Sequence, residues 1–212
     1  DPGAVIAALR ARDATCVAGN HDLAAIGRMS TSEFNQVAAA AARWTEMALT
    51  AEEKAYLGAL PLVATAGDLT IVHGSLRSPE WEYLLSAEQA DAHFALQETP
   101  YGVVGHSHLQ FWCVQRDGDE ADMLRATDGT MVRLEGRRLI VNPGSTGQPR
   151  DGDPRAGYML YDDGAESASG GAGGTRGAVT WHRVAYDAEA TRQKILDAGL
   201  PEFLGDRLLE GR

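Results

Sequence analysis

With 212 residues and 44% apolar content, the chain can bury one substantial core and is read as a single domain over 1–212. Its 19 Lys plus Arg against 30 Asp plus Glu leave a net charge of −11, which argues against broad contact with a nucleic-acid backbone. A small anionic substrate held by metal ions stays compatible, because divalent cations reverse the local field. No apolar run approaches the roughly eighteen residues of a membrane span, so no membrane partner is expected. Cys16 and Cys113 sit in apolar, strand-like contexts without C-x-x-C spacing and read as buried thiols of a reducing cytosol.

In chain order, Pro2 to Asp13 suits an amphipathic helix with proline in its first turn, and Ala14 to Ala18 follows as a strand. Phe34, Val37, Ala38, Ala41, Thr45 and Ala48 recur at helical spacing and predict a helix over Thr31 to Leu49. Thr50 and Glu53 form a capping box for another helix that stops before Pro61. Leu62 to Thr65 and Leu69 to Val72 read as a hairpin. Ser86 and Gln89 open a helix through Gln97, in which His93 is taken as a partly exposed residue without a role.

Strands are then expected over Gln110 to Gln115 and Arg138 to Val141, with a short element at Ala121 to Ala126 between them. Tyr158 to Tyr161 and Val179 to Val184 pair as late strands around a Gly/Ser-rich loop near 164–178. His182 is a sheet-surface residue in this reading, and helices over Ala188 to Ala198 and Pro201 to Leu209 close the chain.

Four stretches carry chemistry. Gly105-His106-Ser107-His108 ends an apolar run and puts two imidazoles at i and i+2, on one side of an extended backbone. Gly19-Asn20-His21-Asp22 and Val72-His73-Gly74-Ser75 likewise follow apolar runs, where open α/β sheets place their sites. Each alone has a plainer reading: an Asx turn at Asn20, a hydrogen-bonded loop histidine at His73, solvated histidines at His106 and His108. Val141-Asn142-Pro143-Gly144-Ser145 is a tight turn that holds its neighbouring loops, with backbone donors available to a phosphate.

These four motifs, in this order, resemble the calcineurin-like metallophosphoesterases, specifically the small prokaryotic phosphodiesterase-like branch. The likeness extends to Arg43-Trp44-Thr45, Tyr56-Leu57 with Leu60-Pro61, the run from Gly147 to Pro154, Tyr186-Asp187, Gly199 to Pro201 and Arg207-Leu208. One departure stands out. In the resembled family an Asp-x-His after the first strand begins the first metal site, and a Gly-Asp after the second strand supplies the carboxylate that bridges both metals. Neither is here, and the chain opens at Asp1-Pro2. The expected fold is therefore α/β, a four-layer αββα sandwich lacking its amino-terminal β-α-β part.

The resemblance implies two divalent metal ions, Mn²⁺ first, with Fe, Zn²⁺ or Ni²⁺ as the other candidates. Asn20, His73 and His106 would bind one ion and His108 the other. Two ions about 3.5–4 Å apart generate a bridging hydroxide and clamp phosphoryl oxygens. His21 would stabilise the transition state or protonate the leaving oxygen, and Asp22 would either orient His21 or cap the segment that follows. Arg150 is either a phosphate contact or a surface arginine. The implied function is hydrolysis of a small phosphodiester or phosphomonoester in the cytoplasm by the intact protein, with this chain alone inactive. The alternative is a non-catalytic protein-binding module or inactive fragment of the same fold, because the bridging Asp is absent.

Overall fold

The computed structural model describes residues 1–116, 120–134, 136–164 and 177–212. The expected Gly/Ser-rich loop lies for the most part outside these residues. Helices α1 (Pro2–Arg10), α2 (Asn20–Ala25), α3 (Gln36–Ala48) and α4 (Ala51–Ala59) come first, followed by the hairpin β1 (Val63–Ala66) and β2 (Leu69–Val72). Helix α5 (Ala87–Phe94) leads to β3 (Tyr101–Val103), β4 (Gln110–Val114), β5 (Asp122–Arg125), β6 (Met131–Arg133) and β7 (Leu139–Pro143). The long pair β8 (Ala156–Asp162) and β9 (Ala178–Val184) precedes α6 (Ala188–Asp197) and α7 (Phe203–Glu210).

One sheet has the order β1-β2-β3-β7-β4-β5 and a second the order β6-β9-β8. Alternation along β7 explains how the layers stack. Ile140 packs with Phe94 and Ala90 of α5, while Leu139 and Val141 face Val179 and Trp181 of the second sheet. The period of two thus sends neighbouring side chains into two different cores. A third apolar cluster, Ile6, Ala25, Leu49 and Leu57, joins the amino-terminal helices. This mixed arrangement of two sheets with flanking helices is the expected αββα type.

Strands β2, β3 and β7 run parallel, so their carboxyl ends lie on one edge. That edge delivers His73, the Gly105 to His108 turn and Asn142, which is why residues far apart in sequence meet there.

Several local expectations are corrected. Residues 14–18 form no strand: Ala18 N donates to Pro61 O at 2.9 Å, but Ala14 N turns back to Leu9 O, and no ladder develops. An apolar run becomes a strand only where a neighbour pairs along it. Helix α3 starts at Gln36 rather than Thr31, because Asn35 accepts from Ala38 N at 2.8 Å and caps it there. Phe34 stays outside the helix as a result. Strand β6 was not foreseen; three residues with one buried position, Val132, give too short a pattern.

His93 is 0% exposed, not a surface residue. It lies on the inward face of α5 beside Ala90 and Phe94, its Nδ1 accepts from Leu76 N at 3.2 Å, and only Gly102 leaves room for its ring. Cys113 is buried as expected, but Cys16 is only half-buried, at the edge of an apolar hollow near Tyr56.

Candidate metal and phosphate site

The glycine of Gly19-Asn20-His21-Asp22 has a steric reason. A Cβ at Gly19 would fall 2.7 Å from Nδ1 of His73, so only glycine lets that ring approach the first turn of α2. Asp22 Oδ2 accepts from Gly19 N at 2.9 Å, tying down the turn. Asp22 thus caps the segment that follows. Burial raises the Asp22 pKa, and the Gly19 amide opposes the rise.

With the turn held, Asn20 Oδ1 lies 3.0 Å from His73 Nε2, and His73 Nε2 lies 2.9 Å from His106 Nδ1. His106 and His108 both adopt left-handed backbone, with φ of 58° and 62°. Asn142 restrains that costly geometry: its Nδ2 donates to Gly105 O at 2.8 Å and to Ser107 Oγ at 3.0 Å. Asn142 is itself fixed, since Trp181 Nε1 donates to its carbonyl at 2.8 Å.

All four imidazoles around the site are held below the usual histidine range. Burial, then the charges of His106 and His108, pushes His73 down to about 3. Burial pushes His106 to about 4, partly offset by the Trp81 backbone, with Arg150 acting in the same direction as burial. Burial and Arg150 also lower His108 to about 4. Its Nδ1 faces Gln148 O at 2.7 Å and must carry the hydrogen, which leaves Nε2 as the lone-pair nitrogen. His21 is lowered by its crowded position in the cleft and then by Arg150, although the residue remains accessible to solvent. At neutral pH these rings are neutral bases.

The donors fit one divalent ion in part. Two ligands meeting at a right angle on an ion about 2.1 Å away stand about 3 Å apart, close to the 3.0 and 2.9 Å separations seen here. The donor set of two neutral imidazoles and an amide oxygen suits Mn²⁺, Fe²⁺ or Zn²⁺. Among the described residues, however, no group of three or more His, Cys, Asp or Glu side chains is arranged to hold a metal ion. The cluster is one partial coordination shell. His108 keeps Nε2 free of the Gln148 contact.

Sequence reasoning missed the aromatic wall of this site. Tyr83 stacks on His106 with centroids 3.9 Å apart, and Phe34 bridges His21 at 5.1 Å and Trp81 at 5.3 Å. Nothing in the spacing of these residues marks them, because they come from irregular segments before α3 and after β2. Beside the wall, His21, Gln148, Arg150 and Arg207 line a cleft of about 430 Å³.

Parallel strand ends that gather neutral histidines and an asparagine, in a two-sheet α/β sandwich, define the class to which this fold belongs. The model of the calcineurin-like phosphoesterase superfamily domain matches residues 2–164, and the chain belongs to that superfamily. The uncharacterized protein MJ0912 of Methanocaldococcus jannaschii is 33% identical over 208 residues, covering 95% of this chain and 78% of its own length. A crystal structure of a metallophosphoesterase from Sphaerobacter thermophilus is 42% identical with a TM-score of 0.77, over 92% of this chain and 76% of that one. The hypothetical protein PH1004 from Pyrococcus horikoshii OT3, at 22% identity, shares the fold, with a TM-score of 0.70 over 100% of this chain and 80% of that one.

Proposed function

We propose that this chain acts by itself as a non-hydrolysing member of the metallophosphoesterase fold that holds one divalent cation through Asn20, His73 and His106. The observation behind this reading is the donor inventory: two imidazoles and an amide oxygen converge, while no group of three His, Cys, Asp or Glu side chains is found among the described residues. A two-ion clamp with a bridging hydroxide needs anionic ligands that this inventory does not supply. A cytosolic setting belongs to the same proposal, supported by free thiols at Cys16 and Cys113. No helix among the described residues is long and apolar enough to cross a membrane.

A second reading keeps hydrolysis of phosphodiesters or phosphomonoesters as the activity of the intact protein. It is favoured by the neutral His21 beside Arg150 and by the 42% identity to the Sphaerobacter metallophosphoesterase. His21 would then hydrogen-bond or protonate the leaving oxygen. The small prokaryotic phosphodiesterase-like branch and the dinuclear Mn²⁺ centre belong to this second reading, which rests on the order of the motifs.

Metal analysis combined with hydrolysis of bis(p-nitrophenyl) phosphate separates the two. The first reading expects no more than one ion per chain and no Mn²⁺-dependent release of p-nitrophenol. Two bound ions with metal-dependent turnover would establish the second reading for the chain as it stands.

A further inference from the structure

Several arginines of this acidic chain are matched with carboxylates. Arg77 pairs with Glu82, Arg116 with Asp122, Arg155 with Asp128 and Asp153, Arg183 with Asp151, and Arg192 with Asp206. Arg150 and Arg207 are not matched in this way, and both line one cleft. Neither makes an ion pair among the described residues, and no Asp or Glu lines the cleft they share. Arg150 spends Nε and one terminal nitrogen on Gln148 Oε1, at 3.3 and 2.9 Å. Arg207 donates from Nε to Arg212 O at 2.5 Å and lies over the Phe203 ring, 5.4 Å from its centroid. Its two terminal nitrogens, and Nη1 of Arg150, make no hydrogen bond to described residues.

Two unneutralised guanidiniums in one hollow repel each other. Arg207 feels this: its pKa is lowered by burial first and by the charge of Arg150 second. The arrangement is stable in a cleft where an anion completes it, and each guanidinium offers N–H groups shaped for oxyanions.

We infer that Arg150 and Arg207 form a recognition site for the dianionic phosphoryl group of an organic phosphate monoester, beside the Asn20, His73 and His106 cluster. Charge sets the class. A phosphate monoester carries close to two negative charges at neutral pH and matches two guanidiniums, whereas a diester carries one. The apolar walls contributed by Val37, Ala38, Leu204 and Phe203 give its organic part a surface to lie on. Arg207 comes from α7, so the carboxyl-terminal helix supplies specificity to a site whose metal donors all lie on earlier elements.

The inference rests on the family reading of the site as phosphate-handling, and its test is independent of any metal. Calorimetric titration in EDTA at pH 7.5 and low salt compares phenyl phosphate with methyl phenyl phosphate. The monoester is expected to bind at least about tenfold more tightly, and Arg207→Gln and Arg150→Gln are each expected to weaken it by about tenfold or more, with partial recovery in Arg207→Lys. Arg155→Gln, which removes a carboxylate-paired arginine outside this cleft, should leave monoester binding in place. Circular dichroism checks that each variant folds; if Arg207→Gln does not, Arg150→Gln carries the test. Equal binding of the two esters, undiminished binding in folded Arg150→Gln or Arg207→Gln, or loss of binding in folded Arg155→Gln would overturn the inference.

Discussion

His73 Nε2 and His106 Nδ1 face each other at 2.9 Å, although the two residues come from the ends of different parallel strands. Two neutral imidazoles at that distance share one hydrogen; an ion that takes both facing lone pairs requires that hydrogen to move to the other nitrogen of its own ring, so no net proton is released at neutral pH. Manganese binding should therefore vary little between pH 7 and 8. His73→Ala and Asn20→Ala are expected to weaken it by at least about tenfold, the size of effect seen even for groups that only support metal ligands. His108→Ala should leave the first ion in place, because His108 lies outside the three-donor contact. Isothermal titration with Mn²⁺ checks all three, and a His108→Ala loss as large as that of His73→Ala would refute the one-ion shell.

Asn142 is fully buried and serves both the His106 turn and its own turn, where its Oδ1 accepts from Gly144 N at 2.9 Å. Asn142→Ala leaves the Gly105 carbonyl and the Gly144 amide without partners, at about 1–3 kcal/mol for each buried group. A destabilisation of about 3 kcal/mol in urea unfolding is expected, together with weaker Mn²⁺ binding as the left-handed His106 and His108 relax. Asn142→Asp keeps the acceptor for Gly144 and should be less costly to the turn while still losing the Gly105 contact.

His93 predicts a pH dependence of stability. Burial pushes its pKa down to about 4, with Glu82 opposing the shift, Arg138 adding to it, and Gln97 as its neighbour. Between about pH 6.5 and pH 4 the unfolded chain takes up a proton that the folded chain refuses. Stability therefore falls as pH is lowered through that window, by on the order of 3 kcal/mol from this group. Urea midpoints measured at pH 7.5 and 4.5 should drop less in His93→Asn than in the parent chain. His73, His106 and His108 act in the same direction, so the variant keeps part of the drop. An unchanged drop would show that His93 is protonated in the folded state.

Local chemistry alone specified much of this protein. The Thr50 and Glu53 capping box is formed in both directions, and the alternation of Leu139, Ile140 and Val141 was enough to mark a strand. The metal-type donors were visible too, because a histidine or asparagine next to a glycine at the end of an apolar run is a local pattern.

Features that depend on what lies opposite a residue could not be read there. Residues 14–18 have strand composition, but pairing decides whether a strand exists, and they have no ladder partner among the described residues. His93 looks like any helix histidine until the Gly102 backbone closes over it. The meeting of Asn20, His73 and His106 depends on the parallel register of β2, β3 and β7, and the approach of Arg207 to Arg150 on where α7 docks. Sequence carries the chemical identity of each donor; which donors share a point is decided by hydrogen bonds and packing between segments far apart in the chain, 53 residues for Asn20 and His73 and 57 for Arg150 and Arg207.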